Sequence, residues 1–444
     1  MNMYPDLQSK SAQLYERGRK VMPGGNSRSS VLMAPYPVYA RHAQGCRITD
    51  VDGVERIDFV NNWSSLIHGH CNERIVEAVA RQSRRMFSIG MPTEVEIELA
   101  ELLCERLPGV DQIRFSNSGS EGVLMALRAA RAYTGRPKIA KCEGCYHGNA
   151  DAVEVSVAPT PDTWGSATAP ASAPATGGIT ASAAQETIVL PFNDVAATRA
   201  ILEAHAGELA AVIMDPLVSR MGFVRATPDY LRMVREVTQQ HGIVLIYDEV
   251  FSTRLGYHGA QGYVGITPDL TTLGKIIGGG LPIGATGGKA EIMAVFDATR
   301  GHPKVDHAGT FNANPMSMAA GLAAMQQMTP EAYARLEALG DRARNGLREA
   351  FRIAGLPGSV RGDGSFVSLA FTDRPVNNFR ELAAAMGMEQ VQKIFALHRH
   401  LLNNGVIIIP YGLLILSTAM TEAEIDHLVE QALAGMRAIA RGAA

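Results

Sequence analysis

From about residue 72 onwards, short apolar runs alternate with longer segments that have the periodicity of amphipathic helices. The apolar runs predict strands at 112–116, 137–141, 187–190, 210–214 and 243–247. Helical patterns separate several of these strands, at 120–134, 194–205 and 228–241. Strands that alternate with helices favour a mostly parallel sheet covered by helices on both faces. The predicted fold class is therefore α/β.

The two ends of the chain have a different pattern. Residues 1–70 begin with a helical segment at 8–20 and continue with three short strand signals, which is typical of a β-meander. Residues 315–444 begin with a long helical pattern that breaks near 329–330, and then mix strands with helices. We therefore expect a large domain at 71–314 and a smaller α+β domain built from the N- and C-terminal segments.

The composition and the net charge argue against a nucleic-acid-binding, membrane-spanning or secreted protein. The chain has 444 residues, of which 46% are hydrophobic, and a net charge of -3. Such a charge leaves no electrostatic footprint for nucleic acid, and no apolar stretch reaches the ~18 residues that a membrane span needs. The five cysteines are an odd number, and the first residues lack the pattern of a secretory signal. We therefore expect a cytoplasmic protein with reduced thiols.

Two further segments were candidates for a function. Cys142-Glu-Gly-Cys145 has the spacing of a redox motif, but no second Cys or His pair completes a metal site, so no metal is predicted. Residues 157–187 are rich in Ala, Pro, Ser, Thr and Gly. A segment of this composition buries little apolar surface, so we expect it to be mobile, either as a plain linker or as a flap over an active site.

Lys275 is the first candidate catalytic residue. It follows the strand-like run 268–274 and precedes two isoleucines and the three glycines 278–280. Burial among apolar side chains disfavours the ammonium ion, which lowers the pKa of a lysine and leaves a nucleophilic amine. An amine of this kind can form a Schiff base with an aldehyde cofactor.

Asp248 is the second candidate, because it ends the buried-strand pattern 243–247. Open α/β sheets bind ligands at the carboxyl ends of their strands. A carboxylate at that position would keep the ring nitrogen of pyridoxal phosphate protonated, so that the ring can accept electrons. Lys275 and Asp248 together predict pyridoxal phosphate as the cofactor.

Two more motifs follow predicted strands. Ser118-Gly119-Ser120 lies where a helix begins, and the free N–H groups and hydroxyls of such a turn can bind a phosphate. Tyr146-His147 lies before a glycine and just past a strand end, where an aromatic ring can stack on a flat cofactor. An ordinary helix cap and a tyrosine packed on its own domain are the alternative interpretations.

In their order along the chain, these motifs resemble the class III family of pyridoxal-phosphate-dependent aminotransferases, which have fold type I. The resemblance extends from Pro23 to the last helix. It implies that Lys275, Asp248 and Tyr146 are the catalytic residues. The cofactor contacts that it implies are Ser118, Gly119, Ser120, Tyr146, His147, Asp215, Asp248, Val250, Lys275 and Thr310. In this family, the loop that contains Thr310 reaches the phosphate of the neighbouring subunit, which implies a homodimer with shared active sites.

Within the family, residues 23–28 and 157–187 are similar to the glutamate-1-semialdehyde aminomutase branch. The stretch 26–31 resembles more closely the β-amino-acid aminotransferases, such as β-phenylalanine aminotransferase. This resemblance implies that Arg28 binds a substrate carboxylate. Trp63 is a further candidate for contact with the substrate, although a core tryptophan would give the same signal.

The chain departs from the family pattern at two places. Pro410-Tyr411-Gly412 stands where the β-amino-acid enzymes have a second arginine, and Asp215-Pro216 stands where Glu-Pro is common. The expected reaction moves an amino group from an amino acid, such as a β-amino acid or a related amine, to a keto acid, with Lys275 as the base. An aminomutase, a racemase of the same family and a protein that has kept the fold without catalysis remain alternatives.

Overall fold

The structure is a computed structural model that describes residues 3–299 and 301–442. Its N-terminal segment contains one helix and three strands, α1 (Lys10–Arg19), β1 (Ala40–Gln44), β2 (Arg47–Asp50) and β3 (Glu55–Asp58). Ser9 caps α1 by accepting a hydrogen bond from the N–H of Ala12. The strands pair antiparallel in chain order, so the predicted β-meander is confirmed, with its first strand shifted by two residues from the predicted 38–41.

The middle of the chain forms the large sheet and its covering helices. Its elements are α2 (Glu73–Ser83), α3 (Glu94–Arg106), β4 (Gln112–Ser116), α4 (Gly119–Thr134), β5 (Lys138–Cys142), α5 (Ala181–Gln185), β6 (Thr187–Leu190), α6 (Val195–Ala204), β7 (Leu209–Met214), β8 (Leu217–Val218), β9 (Val224–Arg225), α7 (Pro228–Gln240), β10 (Val244–Asp248), α8 (Gly259–Val264), β11 (Leu270–Gly274), β12 (Gly284–Gly288) and α9 (Ala290–Met293). Seven strands form one sheet in the order β4-β12-β11-β10-β7-β5-β6. β12 runs antiparallel to both of its neighbours, and the remaining pairs are parallel. The predicted mostly parallel sheet is therefore confirmed.

The central strands of this sheet are buried on both faces. Every residue of β7 and β10 is buried, as expected for parallel strands that have helices above and below them. Side-chain caps fix where two of these helices begin, since Asp194 and Thr227 accept hydrogen bonds from the N–H groups of Ala197 and Tyr230. The carboxyl ends of β4, β10 and β11 consequently meet at one edge of the sheet, next to the N-terminus of α4.

The C-terminal segment begins with two helices separated by a short break. Its elements are α10 (Pro315–Gln327), α11 (Pro330–Ala354), β13 (Ser359–Arg361), β14 (Phe366–Ala370), α12 (Phe379–Ala385), α13 (Met388–Asn403), β15 (Val406–Ile407), β16 (Leu413–Ile415) and α14 (Glu422–Ala440). The predicted break near 329–330 is confirmed. Strands β13, β14 and β16 form an antiparallel sheet, and β15 pairs in parallel with β3. This pairing of the two chain ends supports the division into 1–70, 71–314 and 315–444, which stays a prediction.

Strand β12, whose sequence is Gly-Ala-Thr-Gly-Gly, is not predicted from the sequence. Glycine and alanine are depleted in strands, so the pattern gave no strand signal. The structure explains the glycine at its start: a Cβ atom on Gly284 would lie 1.8 Å from the carbonyl oxygen of Ser118. Glycine therefore allows the turn before α4 to lie directly against the sheet.

Residues 157–187 contact the C-terminal segment. The Arg380 guanidinium, on α12, lies 4.9 Å from the centre of the Trp164 ring and donates hydrogen bonds to the carbonyls of Trp164 and Gly165 at 2.6 and 3.1 Å. Arg380 also forms a two-pronged ion pair with Glu143. The segment is thereby linked to α12, while its mobility stays a prediction.

Within the described ranges, no helix combines the length and the apolar composition that a bilayer span requires.

Arg254 joins three distant parts of the chain. It is 1% exposed and donates to the carbonyl of Ser64 at 2.9 Å, to Oγ of Ser365 at 2.9 Å and to the carbonyl of Leu416. Burial lowers the pKa of its guanidinium to about 9, so it stays charged at neutral pH. One side chain of the middle segment thus satisfies buried acceptors from the N-terminal and the C-terminal segments.

We predict that Arg254→Met lowers the free energy of unfolding by about 2–4 kcal/mol, because it leaves three buried acceptors without a donor. Urea titration followed by circular dichroism measures the change. Arg352→Met is the matched control, since Arg352 forms an exposed ion pair with Glu349 and such pairs contribute about 0–1 kcal/mol. Equal effects of the two substitutions would contradict the joining role of Arg254.

Candidate active site

A cavity of about 410 Å³ opens at the carboxyl edge of the large sheet. Nine of the ten predicted cofactor contacts line it, and they are Ser118, Gly119, Ser120, Tyr146, His147, Asp215, Asp248, Val250 and Lys275. The tenth, Thr310, is exposed on the loop before α10 and lies outside this lining. The fold therefore gathers into one place residues that are spread over more than 150 positions of the sequence.

Lys275 follows directly on β11 and points into this cavity. Its backbone has a φ of 50°, a left-handed conformation that is uncommon outside glycine and that often marks functional sites. Its Nζ atom lies 5.1 Å from the centre of the Phe251 ring. Burial lowers the pKa of Lys275, and the negative charges of Asp248 and Asp215 oppose this only in part. The amine is therefore easier to deprotonate than an ordinary lysine.

Asp248 is held by three hydrogen bonds at the end of β10. Its Oδ2 lies 2.8 Å from Nδ1 of His147, and its Oδ1 accepts from the Thr272 hydroxyl at 3.0 Å and from the Val250 N–H at 3.1 Å. Burial alone would raise the pKa of Asp248, but the hydrogen bonds of His147 and Val250 and the nearby charge of Lys275 hold it below its usual value. Asp248 is consequently an ionised carboxylate in a fixed orientation.

His147 is fully buried behind Asp248. Because a carboxylate can only accept, Nδ1 of His147 carries the proton in their hydrogen bond. Burial lowers the pKa of His147, although the hydrogen bond and the charge of Asp248 oppose the shift. The ring is therefore neutral, and its Nε2 is buried without a partner in the part of the chain that the structure describes.

Asp215 is the second carboxylate of the cavity. Its Oδ1 accepts a hydrogen bond from the N–H of Leu217 at 3.1 Å. Burial and then the charge of Asp248 raise the pKa of Asp215 well above its usual value. Two carboxylates that share one buried site do not both ionise easily, so Asp215 is the more easily protonated of the two. The shorter side chain at this position still lines the cavity.

The N-terminus of α4 forms the far end of the cavity. Ser118 caps this 16-residue helix, and its Oγ accepts from the N–H of Glu121 at 3.2 Å. The other N–H groups of the first turn have no partner within the helix, and with the helix dipole they favour an anion such as phosphate. Asn117 Nδ2 donates to Oδ1 of Asn312 at 2.9 Å, which ties this turn to the loop that contains Thr310.

Lys141 was missed by the sequence analysis. It lies in β5, is fully buried, and donates to the carbonyls of Cys145 and Val155 at 2.8 and 2.6 Å. Burial lowers the pKa of Lys141 to about 8. Its contacts fix the loop that presents Tyr146, whose ring lines the cavity and remains 47% exposed. The available signal was a second lysine in β5, directly after the apolar residues Ile139 and Ala140.

A second cavity, of about 450 Å³, adjoins the first, and Ser219 and Phe251 line both. Trp63 lines this second cavity, as do Pro410 and Tyr411. Arg28 lines neither cavity, but its Nη1 donates to Oδ1 of Asn62 at 2.9 Å, and Asn62 lines the first. The predicted substrate contacts therefore lie at two different borders of the site.

Trp63 belongs to a run of four residues with left-handed backbone. The φ angles of Asn61, Asn62, Trp63 and Ser64 are 47°, 46°, 54° and 76°. Such residues cost of order 1–3 kcal/mol each and persist only where the surroundings hold them. The amide of Asn61 donates to the carbonyl of Ile415 at 2.7 Å, and Arg254 binds the carbonyl of Ser64. The sequence carries no clear signal for this run.

The two cysteines with redox-motif spacing, Cys142 and Cys145, are buried, and all five cysteines are free thiols. Over residues 3–299 and 301–442, no group of three or more His, Cys, Asp or Glu side chains is arranged to hold a metal ion.

A comparison with known families gives one decisive match. The model of the family "Aminotransferase class-III" matches residues 29–439. The chain belongs to the class-III aminotransferases. It is 40% identical over 429 residues to glutamate-1-semialdehyde 2,1-aminomutase 2 of Bacillus thuringiensis (strain Al Hakam), a match that covers 95% of this chain and 97% of the relative.

Solved structures are also similar to this aminotransferase. An omega-transaminase from Sphaerobacter thermophilus has a TM-score of 0.95 and 47% identity, with 100% of both chains covered. A β-phenylalanine aminotransferase from Variovorax paradoxus has a TM-score of 0.85 and 36% identity, with 97% of this chain and 94% of the other covered. The predicted family, fold type and branch are therefore confirmed.

The cofactor of this aminotransferase is pyridoxal phosphate, which is also bound in a solved transaminase that is 43% identical to it. The cavity fits this cofactor. Lys275 provides a buried amine with a lowered pKa, Asp248 an ionised carboxylate for a ring nitrogen, and the turn at Ser118–Ser120 the donors for a phosphate. The residues that would hold the cofactor thus form one connected surface.

We predict that Lys275→Met stabilises the cofactor-free protein near neutral pH. The folded pKa of Lys275 lies below its unfolded value of 10.5, so the charged lysine destabilises the fold at low pH. This cost decreases as the pH rises from the folded pKa towards the unfolded pKa. The gain measured by urea titration should therefore be largest below the folded pKa and shrink towards about pH 10. A gain that did not change with pH would contradict the burial of a charged amine.

Proposed function

We propose that this aminotransferase moves amino groups from amino carboxylates or related amines to a keto acid, with Lys275 as the group that carries the proton. The observation that carries the proposal is one cavity in which a lysine of lowered pKa, an ionised aspartate and a helix N-terminus meet. The omega-transaminase from Sphaerobacter thermophilus, which is 47% identical over the whole chain, supports the same reaction class.

The roles of the side chains follow from their electrostatics. When bound, pyridoxal phosphate supplies an aldehyde that condenses with amines and a ring that takes up electron density. Lys275 can accept and return a proton at Nζ because burial favours its neutral form. Asp248 remains negative beside the ring position, and His147 and Thr272 fix its two oxygens. Tyr146 borders the same space and would limit how the ring moves.

The aminomutase reaction is the second candidate, and one observation favours it. The glutamate-1-semialdehyde aminomutases of Bacillus are 40% identical over 95% of this chain. An aminomutase moves the amino group within one substrate, so it needs no separate keto-acid acceptor. Turnover of an amino aldehyde without any acceptor would identify this activity, and turnover that depends on both donor and acceptor would exclude it.

We also propose a homodimer in which Thr310 contributes to the site of the partner. Thr310 is exposed in its own subunit. Phe311 beside it is 57% exposed, and the nearby apolar side chains Ile89 and Met91 are 42% and 72% exposed. Ile89 and Met91 line the same surface cavity as the residues that flank this loop. Apolar side chains grouped in this way are typical of an interface between proteins.

Five unpaired thiols also support the cytoplasm as the location of the protein.

Lys275→Ala should reduce amino transfer by at least 10²–10⁴-fold, the usual contribution of a positioned proton carrier. The assay measures transfer from 1-phenylethylamine or β-phenylalanine to pyruvate and to 2-oxoglutarate, with saturating pyridoxal phosphate. Lys20→Ala, which changes an exposed lysine at the end of α1, serves as the control. Full activity of the Lys275 variant would contradict the proposed function.

Arg28→Ala should reduce kcat/KM for β-phenylalanine more than for 1-phenylethylamine, by roughly tenfold if Arg28 makes a charge-assisted contact with the carboxylate. The two donors are compared in the same assay with the same acceptor. If kcat/KM falls equally for both donors, Arg28 acts on the cavity wall through Asn62 and does not bind the carboxylate.

A further inference from the structure

The second cavity contains the guanidinium group of Arg361, which has no anionic partner among the residues that the structure describes. Arg361, the last residue of β13, is half-buried, and its Nε is buried without a hydrogen-bond partner among the described residues. Its Nη2 donates to Oγ of Ser359 at 3.3 Å. The carboxylate of Asp363, two residues further on, is bound to Arg225 instead. A desolvated charge without a counter-ion is costly, so the site is electrostatically suited to an anionic ligand.

The sheet turns Arg361 towards the cavity. Arg361 pairs with Ser368 on β14, and both line the cavity. Phe366 lies two residues before Ser368, on the same face of the strand. Its ring stacks on Phe251 with the centres 4.7 Å apart, and Phe251 lies under the Lys275 amine at 5.1 Å. This path from the reacting amine to the strand position of Arg361 is on the order of 15 Å long.

Most of the residues that line the second cavity are apolar. Leu369, Phe379, Leu382 and Phe395 line the second cavity, which is continuous with the cofactor cavity through Ser219 and Phe251. Burial lowers the pKa of Arg361 with no opposing charge from the described residues. The two adjoining cavities therefore combine the Lys275 amine, a mostly apolar lining and the Arg361 guanidinium.

We propose that Arg361 binds the carboxylate of a substrate in which several apolar carbon atoms separate that carboxylate from the reacting amine. The substrate class is thus a long-chain ω-amino carboxylate, together with the matching oxo acid. This inference rests on the proposed aminotransferase function and adds to it a residue and a substrate class. Arg361 would also supply a positive charge to the cavity, which Pro410 and Tyr411 in the same lining cannot provide. Arg28 remains the candidate for carboxylates close to the amine.

Arg220 is the competing cation, because it also lines the second cavity. It is exposed, and an exposed guanidinium keeps its hydration. A new contact between Arg220 and a carboxylate would therefore be worth less than one with the buried edge of Arg361.

The experiment compares ω-amino acids with alkylamines of equal length on the holoenzyme. The pairs are 4-aminobutanoate with butylamine, 6-aminohexanoate with hexylamine and 8-aminooctanoate with octylamine, with pyruvate as acceptor. The quantity measured is the ratio of kcat/KM for the amino acid to kcat/KM for the amine. In the wild type, we expect this ratio to increase from the shortest pair to the longer pairs.

Arg361→Gln should lower this ratio roughly tenfold to a hundredfold for the longer pairs, which is the loss of one charge-assisted contact. Arg361→Lys keeps the charge and should restore part of the ratio. Arg348→Gln is the matched control, since Arg348 is exposed and binds the carbonyl of Val360 on the same strand. Calorimetry with octanoate, which has no amine, provides a second readout, and Arg361→Gln should weaken its binding by a similar factor.

The results distinguish the inference from the function on which it rests. A ratio that is unchanged in Arg361→Gln but falls in Arg220→Gln or Arg28→Ala would overturn the role of Arg361 while amino transfer stands. A wild-type ratio that does not depend on chain length would overturn the proposed substrate class. No amino transfer from any amine, with or without a carboxylate, would instead refute the proposed function itself.

Discussion

The buried guanidinium of Arg254 is the contact on which the site depends. It binds acceptors in three segments, Ser64 before α2, Ser365 before β14 and Leu416 after β16. Both cavities lie where these segments meet the large sheet. The same contact holds the last of the four left-handed residues that place Asn62 and Trp63 on the cavity walls. A single charged side chain therefore sets the relative position of cofactor and substrate walls.

Burial acts in opposite ways on the two catalytic candidates. For Lys275 it is the largest influence and lowers the pKa, which favours the neutral amine. For Asp248 the hydrogen bonds of His147 and Val250 and the surrounding charges outweigh it, so the carboxylate stays ionised. Asp215 has fewer such bonds, and burial and then the charge of Asp248 raise its pKa well above its usual value. The two aspartates are buried to a similar depth, so they differ in their hydrogen-bond donors and in the charges that face them.

Much of this arrangement could be predicted from the sequence, because the cofactor contacts follow strands in contiguous motifs. Nine residues that line one cavity follow the ends of β4, β5, β7, β10 and β11. Their roles stay predictions, but their proximity follows from the rule that parallel strands end at one edge. The mostly parallel sheet could be predicted for the same reason, since strands and helices alternate along the chain.

The residues that the sequence did not reveal act through distant contacts. Arg361 is significant because no carboxylate in the described part of the chain faces it, and a missing partner leaves no trace in the sequence. Lys141 depends on carbonyls that a loop brings to it. The pattern does not predict β12 because glycine has a low strand propensity. Glycine at position 284 instead allows the close approach of Ser118. The run at 61–64 is fixed by partners more than 180 residues away in sequence.

The parallel pairing of β3 with β15 has a consequence for how the protein is made. Ile57 lies opposite Val406, so the first meander cannot complete its sheet until nearly the whole chain has left the ribosome. Until then, its edge strand exposes unpaired backbone groups to other nascent chains. All seven strands of the large sheet lie before residue 289, so that sheet can form before β15 is synthesised. Chaperones can bind the unpaired N-terminal strands during this interval.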